Sequence, residues 1–337
     1  MTSAWEFGYD AYHPAEEGRR EALCTLGNGY FATRGAARES RADDVHNPGS
    51  YAAGCYNRLR DEVAGHSVEN ESLVNLPNWL VLTFAVDDGD WFDLDRCEVL
   101  EYRQTLDLRR GTLTRRLRVR DSAGRCTQLT ERRFVHMELP HFAGLQTTIT
   151  AENWSGRLRV RSGIDGAVEN TGVERYRKLS GRHLTTVAAE PRDDDMVMLV
   201  AETNQSHIRI AVAARTRVVD DGHQHTPASE MIREADRVSR DLTVELTAGQ
   251  HLTVEKVVAL YTGRDRAVSE PGEAAVAELR QAASFDALLE RHVLAWAQLW
   301  RRFHIDLSDG AELHEEGVLT IRLHLFHLLQ TVSPHTA

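Results

Sequence analysis

The chain has 337 residues, 42% of them hydrophobic and 27% charged, an ordinary globular composition in a length that accommodates two domains or one large β domain with an appendage. Forty Lys and Arg against 51 Asp and Glu leave a net charge of −11, which argues against nucleic acid or an anionic membrane as partner. Met1-Thr2-Ser3-Ala4-Trp5-Glu6 has no leader character and no apolar run reaches spanning length. The four scattered cysteines, Cys24, Cys55, Cys97 and Cys126, form no C-x-x-C pair, so the expectation is a cytoplasmic protein with reduced thiols and no zinc.

From Trp5 to about residue 75 the sequence is irregular and rich in Gly, Asn, Tyr and charge, which predicts long ordered loops of the kind that carry function. Inside it, Leu26-Gly27-Asn28-Gly29-Tyr30-Phe31-Ala32-Thr33-Arg34-Gly35-Ala36 mixes glycines with β-favouring residues. That mixture predicts a strand bent at defined points. Arg34 is displayed from this backbone, either for a carboxylate or phosphate ligand or for a structural ion pair. Gly27, Gly29 and Ala32 spell G-x-G-x-x-A, but no buried strand precedes them and no helical pattern follows, so a dinucleotide site is rejected.

Asn75-Leu76-Pro77-Asn78-Trp79 reads as a turn before a strand from Leu80 to Val86, closed by Asp87-Asp88-Gly89. The period is then two, at Leu113, Leu117 and Val119, on to Phe134, at Leu158 and Val160, and at Ile208, Ile210 and Val212. Further strands are expected at Leu242–Leu246 and Leu252–Leu260. Many strands with short turns and no intervening helices predict a large antiparallel sandwich. Beyond Pro271-Gly272, apolar residues from Val276 to Phe303 fall at helical spacing, and a second helix is expected from about Glu312 to Thr331. Both helices are expected to form a bridge rather than a core. The ending Ser333-Pro334-His335-Thr336-Ala337 predicts that the chain stops mid-protein.

Candidates for chemistry are few. Asp93 and Asp95 resemble a phosphatase D-x-D pair but lack the apolar strand before and the Gly after, so exposed turn carboxylates are expected. His223 and His225 beside Asp220-Asp221 read as a solvated loop, and His324 with His327 lacks further ligands for a metal. Trp79, Trp91 and Trp154 are weighed as sugar-stacking rings against membership of a sandwich core, and Asp193-Asp194-Asp195 as a solvated turn.

Leu26 to Ala36 resembles the L-G-N-G-Y-F-G-T-R-G-A signature of glycoside hydrolase family 65, with Ala32 in place of a glycine. Asn75 to Leu80 is similar to that family's N-L-P-N-W, Leu106 to Gly111 to its L-D-L-x-x-G, and Arg133 to Met137 to its R-F-x-S-M, with His136 in place of Ser. Asn153-Trp154-Ser155-Gly156, Gly163-Ile164-Asp165-Gly166, the run from His292 to Trp300 and that from Phe326 to Thr331 complete the resemblance.

The resemblance implies a mainly β fold: an antiparallel β-supersandwich over 1–270, a helical linker over 271–310, and the first helix of an (α/α)6 catalytic barrel over 311–337. It implies an inverting phosphorylase or hydrolase of α-linked glucose disaccharides, with inorganic phosphate as co-substrate in a phosphorylase, no other cofactor and a possible homodimer. The family's acid Glu and phosphate site have no matching position, so no catalytic residue is transferred. Asn28, Arg34 and Trp79 are assigned to shaping the sugar site from their places in the densest motifs. The alternative is a stand-alone carbohydrate-binding or scaffold module, which could complement a separate barrel. A module would bury Trp296, Trp300, Phe326 and Leu329 internally, whereas a fragment would expose them.

Overall fold

A computed structural model describes residues 4–63, 65–171, 180–220, 223–303, 305 and 315–332. The expected helix start at Glu312 and the closing Ser333–Ala337 lie outside the described residues. A ten-stranded antiparallel sheet dominates. Its path runs through Glu6–Tyr9, Glu98–Asp107, Thr112–Arg120, Cys126–Val135, Phe142–Ala151, His251–Thr262, Arg209–Asp220, Met196–Thr203 and Leu184–Arg192. The tenth strand, His223–His225, pairs beside Arg209–Asp220, so the expected solvated loop is a sheet edge. A four-stranded sheet of Ala228–Glu234, Arg237–Leu246, Gly156–Asp165 and Leu82–Val86 completes the sandwich.

Alternation along the strands assigns the two faces of the large sheet. Val197, Leu199, Val212, Val254 and Val258 turn to the core shared with Leu158, Val160 and Leu242 of the smaller sheet. Met196, Met198, Ala213, Val257 and Ala259 turn the opposite way. That outer face is covered by two helices, α2 (Pro271–Gln281) and α3 (Phe285–Phe303), following the short α1 (Glu17–Leu23). Ala275, Val276, Leu279, Phe285, Leu288 and Leu289 make a second core there, so these helices do more than bridge. The Arg215 guanidinium, reaching out of the sheet, donates to the carbonyls of Leu279, Ala282 and Ala283 and satisfies the C-terminal end of α2.

The second half of α3 has a different seat. His292, Trp296 and Trp300, four residues apart on one face, lie on the turn that follows Glu98–Asp107. The Trp300 indole N–H donates to Leu108 O at 2.9 Å, and His292 Nε2 meets Gly111 O at 3.0 Å. Gly111 has φ of +65°, and a Cβ there would sit 2.0 Å from Trp296 Nε1. Only glycine permits both that turn and that contact. α4 (Glu315–Thr331) closes over the same aromatics, with Phe326 stacked on Trp296 at 4.7 Å between ring centroids.

Candidate functional site

Leu26–Gly27 and Phe31–Thr33 form a tight antiparallel pair, extended by Ser50–Ala52. Gly29 carries the positive φ, 84°, that the turn between the first two requires. Asn28 fastens it. Its Oδ1 accepts the amides of Tyr30 and Phe31, both at 3.0 Å, while its Nδ2 donates to His136 O at 2.8 Å and Pro140 O at 2.9 Å. All four hydrogen-bonding positions of the carboxamide are therefore used inside the protein. The sequence shows the bend but gives no sign of partners more than a hundred residues away.

Trp79 is fully buried behind this sheet, and its indole N–H donates to Thr33 Oγ1 at 2.9 Å, which also meets Ser50 Oγ at 3.0 Å. Its ring faces are occupied by core. Arg34 lies on the far side, where its Nη2 donates to Gly18 O at 2.8 Å and stands 3.6 Å from Glu21 Oε2. Glu21 also accepts the Asn47 amide and pairs with His46, whose pKa its hydrogen bond raises. Asn28, Arg34 and Trp79 thus surround one small sheet but face three neighbourhoods: the 136–140 loop, α1 and the core.

Beneath this sheet lies a charge network that sequence patterning did not reveal. Glu131 accepts from Arg38 and from Arg115, and Arg115 also pairs with Glu39 at 2.6 Å. Burial opposes the Glu131 charge, yet the Arg115 and Arg38 guanidiniums outweigh it and hold the carboxyl well below the usual range. The adjoining cavity, lined by Glu17, Arg115, Glu131 and Arg133 among others, has a volume of about 10 Å³, room for one water at most. An open cleft of about 540 Å³ at one end of the sandwich, bordered by Val218, His225, Leu246 and Leu252, has no Trp, Tyr or Phe among its described lining residues.

The other candidates have local partners. Asp93 caps a short 3-10 turn, Asp95 accepts from Tyr12, and both are exposed. Trp154 donates to Thr127, and Trp91 lies beneath Arg159 and Arg161. Asp193 and Asp195 pair with Arg280 and Arg217, so that turn anchors α2 rather than standing free in solvent. His327 meets Leu23 O while His324 is exposed, and among the described residues no cluster of His, Cys, Asp or Glu has metal-binding geometry.

Helix α4 meets the Asn28 turn region. Gly27 approaches Gln330 of α4, to which an added Cβ would lie 3.1 Å from Oε1. Arg322 of the same helix donates to Ala4 O and covers the Trp5 ring. Residues 7–299 match the model of the glycosyl hydrolase family 65 N-terminal domain. The chain belongs to glycosyl hydrolase family 65.

Among its family 65 relatives, an uncharacterized glycosyl hydrolase of Mycobacterium tuberculosis is 49% identical over 333 residues, 99% of this chain and 25% of that protein. Kojibiose phosphorylase of Caldanaerobacter subterraneus subsp. tengcongensis is 30% identical across 98% of this chain and 41% of the enzyme. Trehalose 6-phosphate phosphorylase of Lactococcus lactis is 29% identical across 95% and 39%. A solved structure, described as a candidate kojibiose phosphorylase from human microbiome, superposes with a TM-score of 0.82 at 17% identity, covering 98% of this chain and 42% of that one. The chain therefore spans between a quarter and about two fifths of these family 65 proteins.

Membership of family 65 gives the sequence signatures a physical reading. Leu106 to Gly111 is the seat of α3, Leu26 to Ala36 is the turn that meets α4, and Asn75 to Trp79 props that turn from behind. Asn75 accepts the Ser50 amide of the same small sheet, while the Asn78–Asp165 bridge ties the stretch to the four-stranded sheet. Among the described residues no helix is long and apolar enough to cross a membrane.

Proposed function

We propose that this chain supplies the β-supersandwich (1–270), the helical linker (271–310) and the first barrel helix (311–337) of an inverting α-glucoside phosphorylase or hydrolase, and is inactive alone. The observation that carries the reading is the seat of α4 against Gly27, which puts the most specific family signature beside the helix assigned to the start of the barrel. Asn28, Arg34 and Trp79 then act by holding the turn and its neighbours in shape at the sugar-site entrance. In the complete protein a protonated carboxylic acid assists departure of the leaving sugar, and phosphate or activated water attacks the opposite face of the anomeric carbon. The free cysteines, three of them buried, suit the reducing cytoplasm.

Release of glucose and glucose 1-phosphate from kojibiose, trehalose, maltose and nigerose, with and without phosphate, tests this on the chain alone and within the full-length protein that carries it. Phosphate-dependent release by the full-length protein and silence from the chain is the expected result for a phosphorylase. Turnover by the chain alone overturns the reading.

A second reading, a self-sufficient carbohydrate-binding or scaffold module, draws on one observation: Trp296, Trp300, Phe326 and Leu329 are all buried between the helices and the β domain. Exposed apolar area is instead found at Leu294 (63%) and Leu328 (60%). Calorimetric titration of the chain with the same disaccharides distinguishes the two, since only a module binds them unaided.

A further inference from the structure

The loop 136–140 touches both regions described above. His136 closes it from within: Nδ1 accepts the amides of Glu138 at 3.1 Å and Leu139 at 3.0 Å. This is the acceptor role that a serine hydroxyl plays in a short side-chain-to-backbone turn, which accounts for His in place of the signature's Ser. On one side, the Met137 amide donates to His292 Nδ1 of α3 at 3.1 Å. On the other, the carbonyls of His136 and Pro140 hold Asn28, which in turn holds the amides of Tyr30 and Phe31. The two imidazoles lie 5.7 Å apart, edge to face, and both residues are fully buried.

An unbroken series of short hydrogen bonds therefore leads from α3 through the loop to the Gly27–Phe31 turn. The Asn28 bonds to His136 O and to the Tyr30 and Phe31 amides are buried and those of the loop amides partly buried, so losing one member leaves the next with a position that is costly to leave unfilled. The loop has one well-satisfied arrangement only while α3 is seated.

We propose that the 136–140 loop is a coupling joint, with His136 and His292 as positioning residues, through which the seating of α3 sets the conformation of the Asn28 turn. This rests on the reading that the turn borders the sugar site, since it names what controls that border. The coupling itself is a property of the present chain.

Native-state amide exchange on the 337-residue chain at neutral pH tests it, reading the Met137, Tyr30 and Phe31 amides. His292→Ala is expected to lower protection at Met137 and also, at least ten-fold, at Tyr30 and Phe31, which His292 does not contact. His136→Ala should do the same, and His136→Ser should restore protection, because a hydroxyl can accept the same two amides. Trp300→Phe removes the bond to Leu108 O but keeps His292 on Gly111 O and the Met137 amide, so α3 stays seated at the loop and Tyr30 and Phe31 should be unchanged. Loss confined to Met137, or failure of His136→Ser to restore protection, overturns the proposal. If His292→Ala does not fold, the His136 pair decides alone. Sugar turnover plays no part in this readout, so the joint and the proposed function fail separately.

Discussion

Two regions of the molecule bury charge in opposite ways. Under the bent strand, Arg38, Arg115, Glu39 and Glu131 neutralise one another, and the Glu131 carboxyl stays ionised because two guanidiniums face it. In the middle of the sandwich, fully buried Lys256 meets no carboxylate among the described residues: its Nζ donates to Val81 O at 2.9 Å and Gly163 O at 2.6 Å. Burial without a counter-charge pulls its pKa down to about 7. Paired burial stabilises the charge, whereas burial against carbonyls alone makes the charge conditional on pH.

The largest expected effect comes from breaking the paired region. Glu131→Gln leaves Arg38 and Arg115 without their shared carboxylate and should cost about 3–5 kcal/mol in denaturant unfolding. A cost below about 1 kcal/mol would show that the network relaxes around an unpaired guanidinium.

The histidines of the joint extend the comparison, since burial depresses the pKa of His136 to about 4 and of His292 to about 3. Glu138, Arg291 and Arg110 are the charged groups around them. Below pH 6.5 the unfolded chain takes up protons that the folded imidazoles refuse, so stability is lost as the pH is lowered. Together they should remove about 3 kcal/mol between pH 7 and 5, a loss that His136→Ser roughly halves in urea titrations at the two pH values. An unchanged slope in that variant contradicts the buried neutral imidazole.

Lys256 gives the same sign at higher pH. Its folded pKa lies below the unfolded value near 10.4, so between pH 7 and 9 the unfolded state holds the extra proton and stability rises, by about 2 kcal/mol. Lys256→Met should remove that rise and cost about 1–3 kcal/mol at pH 7, because Val81 O keeps the Gly163 amide as donor while Gly163 O loses the ammonium. If the rise survives the substitution, another group carries it.

Arg34→Ala should have the smallest effect on stability, about 1 kcal/mol or less, since Arg34 is partly exposed and its carboxylate is 3.6 Å away. Its weight should appear in turnover by the full-length protein, and no change in either quantity would remove Arg34 from the sugar-site entrance.

What was legible in the sequence had a one-dimensional signature. Alternation at Leu113, Leu117 and Val119 reports a strand with one buried face, and the spacing from Val276 to Trp300 reports a helix lying on apolar surface. Two elements lacked that signature. The hairpin Tyr56–Val63 with His66–Leu73 is largely exposed on its second strand and carries cross-strand pairs such as Arg58 with Glu71, so it shows no apolar period. Helix α1 buries Glu17, Arg20 and Glu21, inverting the usual amphipathic pattern because its charges are paired in the interior. At the candidate site, the bend at Gly27–Gly29 was readable from residue type, whereas the burial of Trp79 and the saturation of Asn28 were not.

The sequence by itself determined the β-rich body, the change to helices at Pro271 and the family, because propensity, periodicity and motif spacing are local properties of the chain. Only the tertiary structure decided that residues 106–111 and Leu26–Gly27 are seats for helices, that His136 closes the 136–140 loop by accepting two amides, and which buried charges are paired. Those outcomes depend on groups such as Asn28 and Pro140, or Gly111 and His292, that meet only when the sheet and helices pack, and on the desolvation that packing imposes.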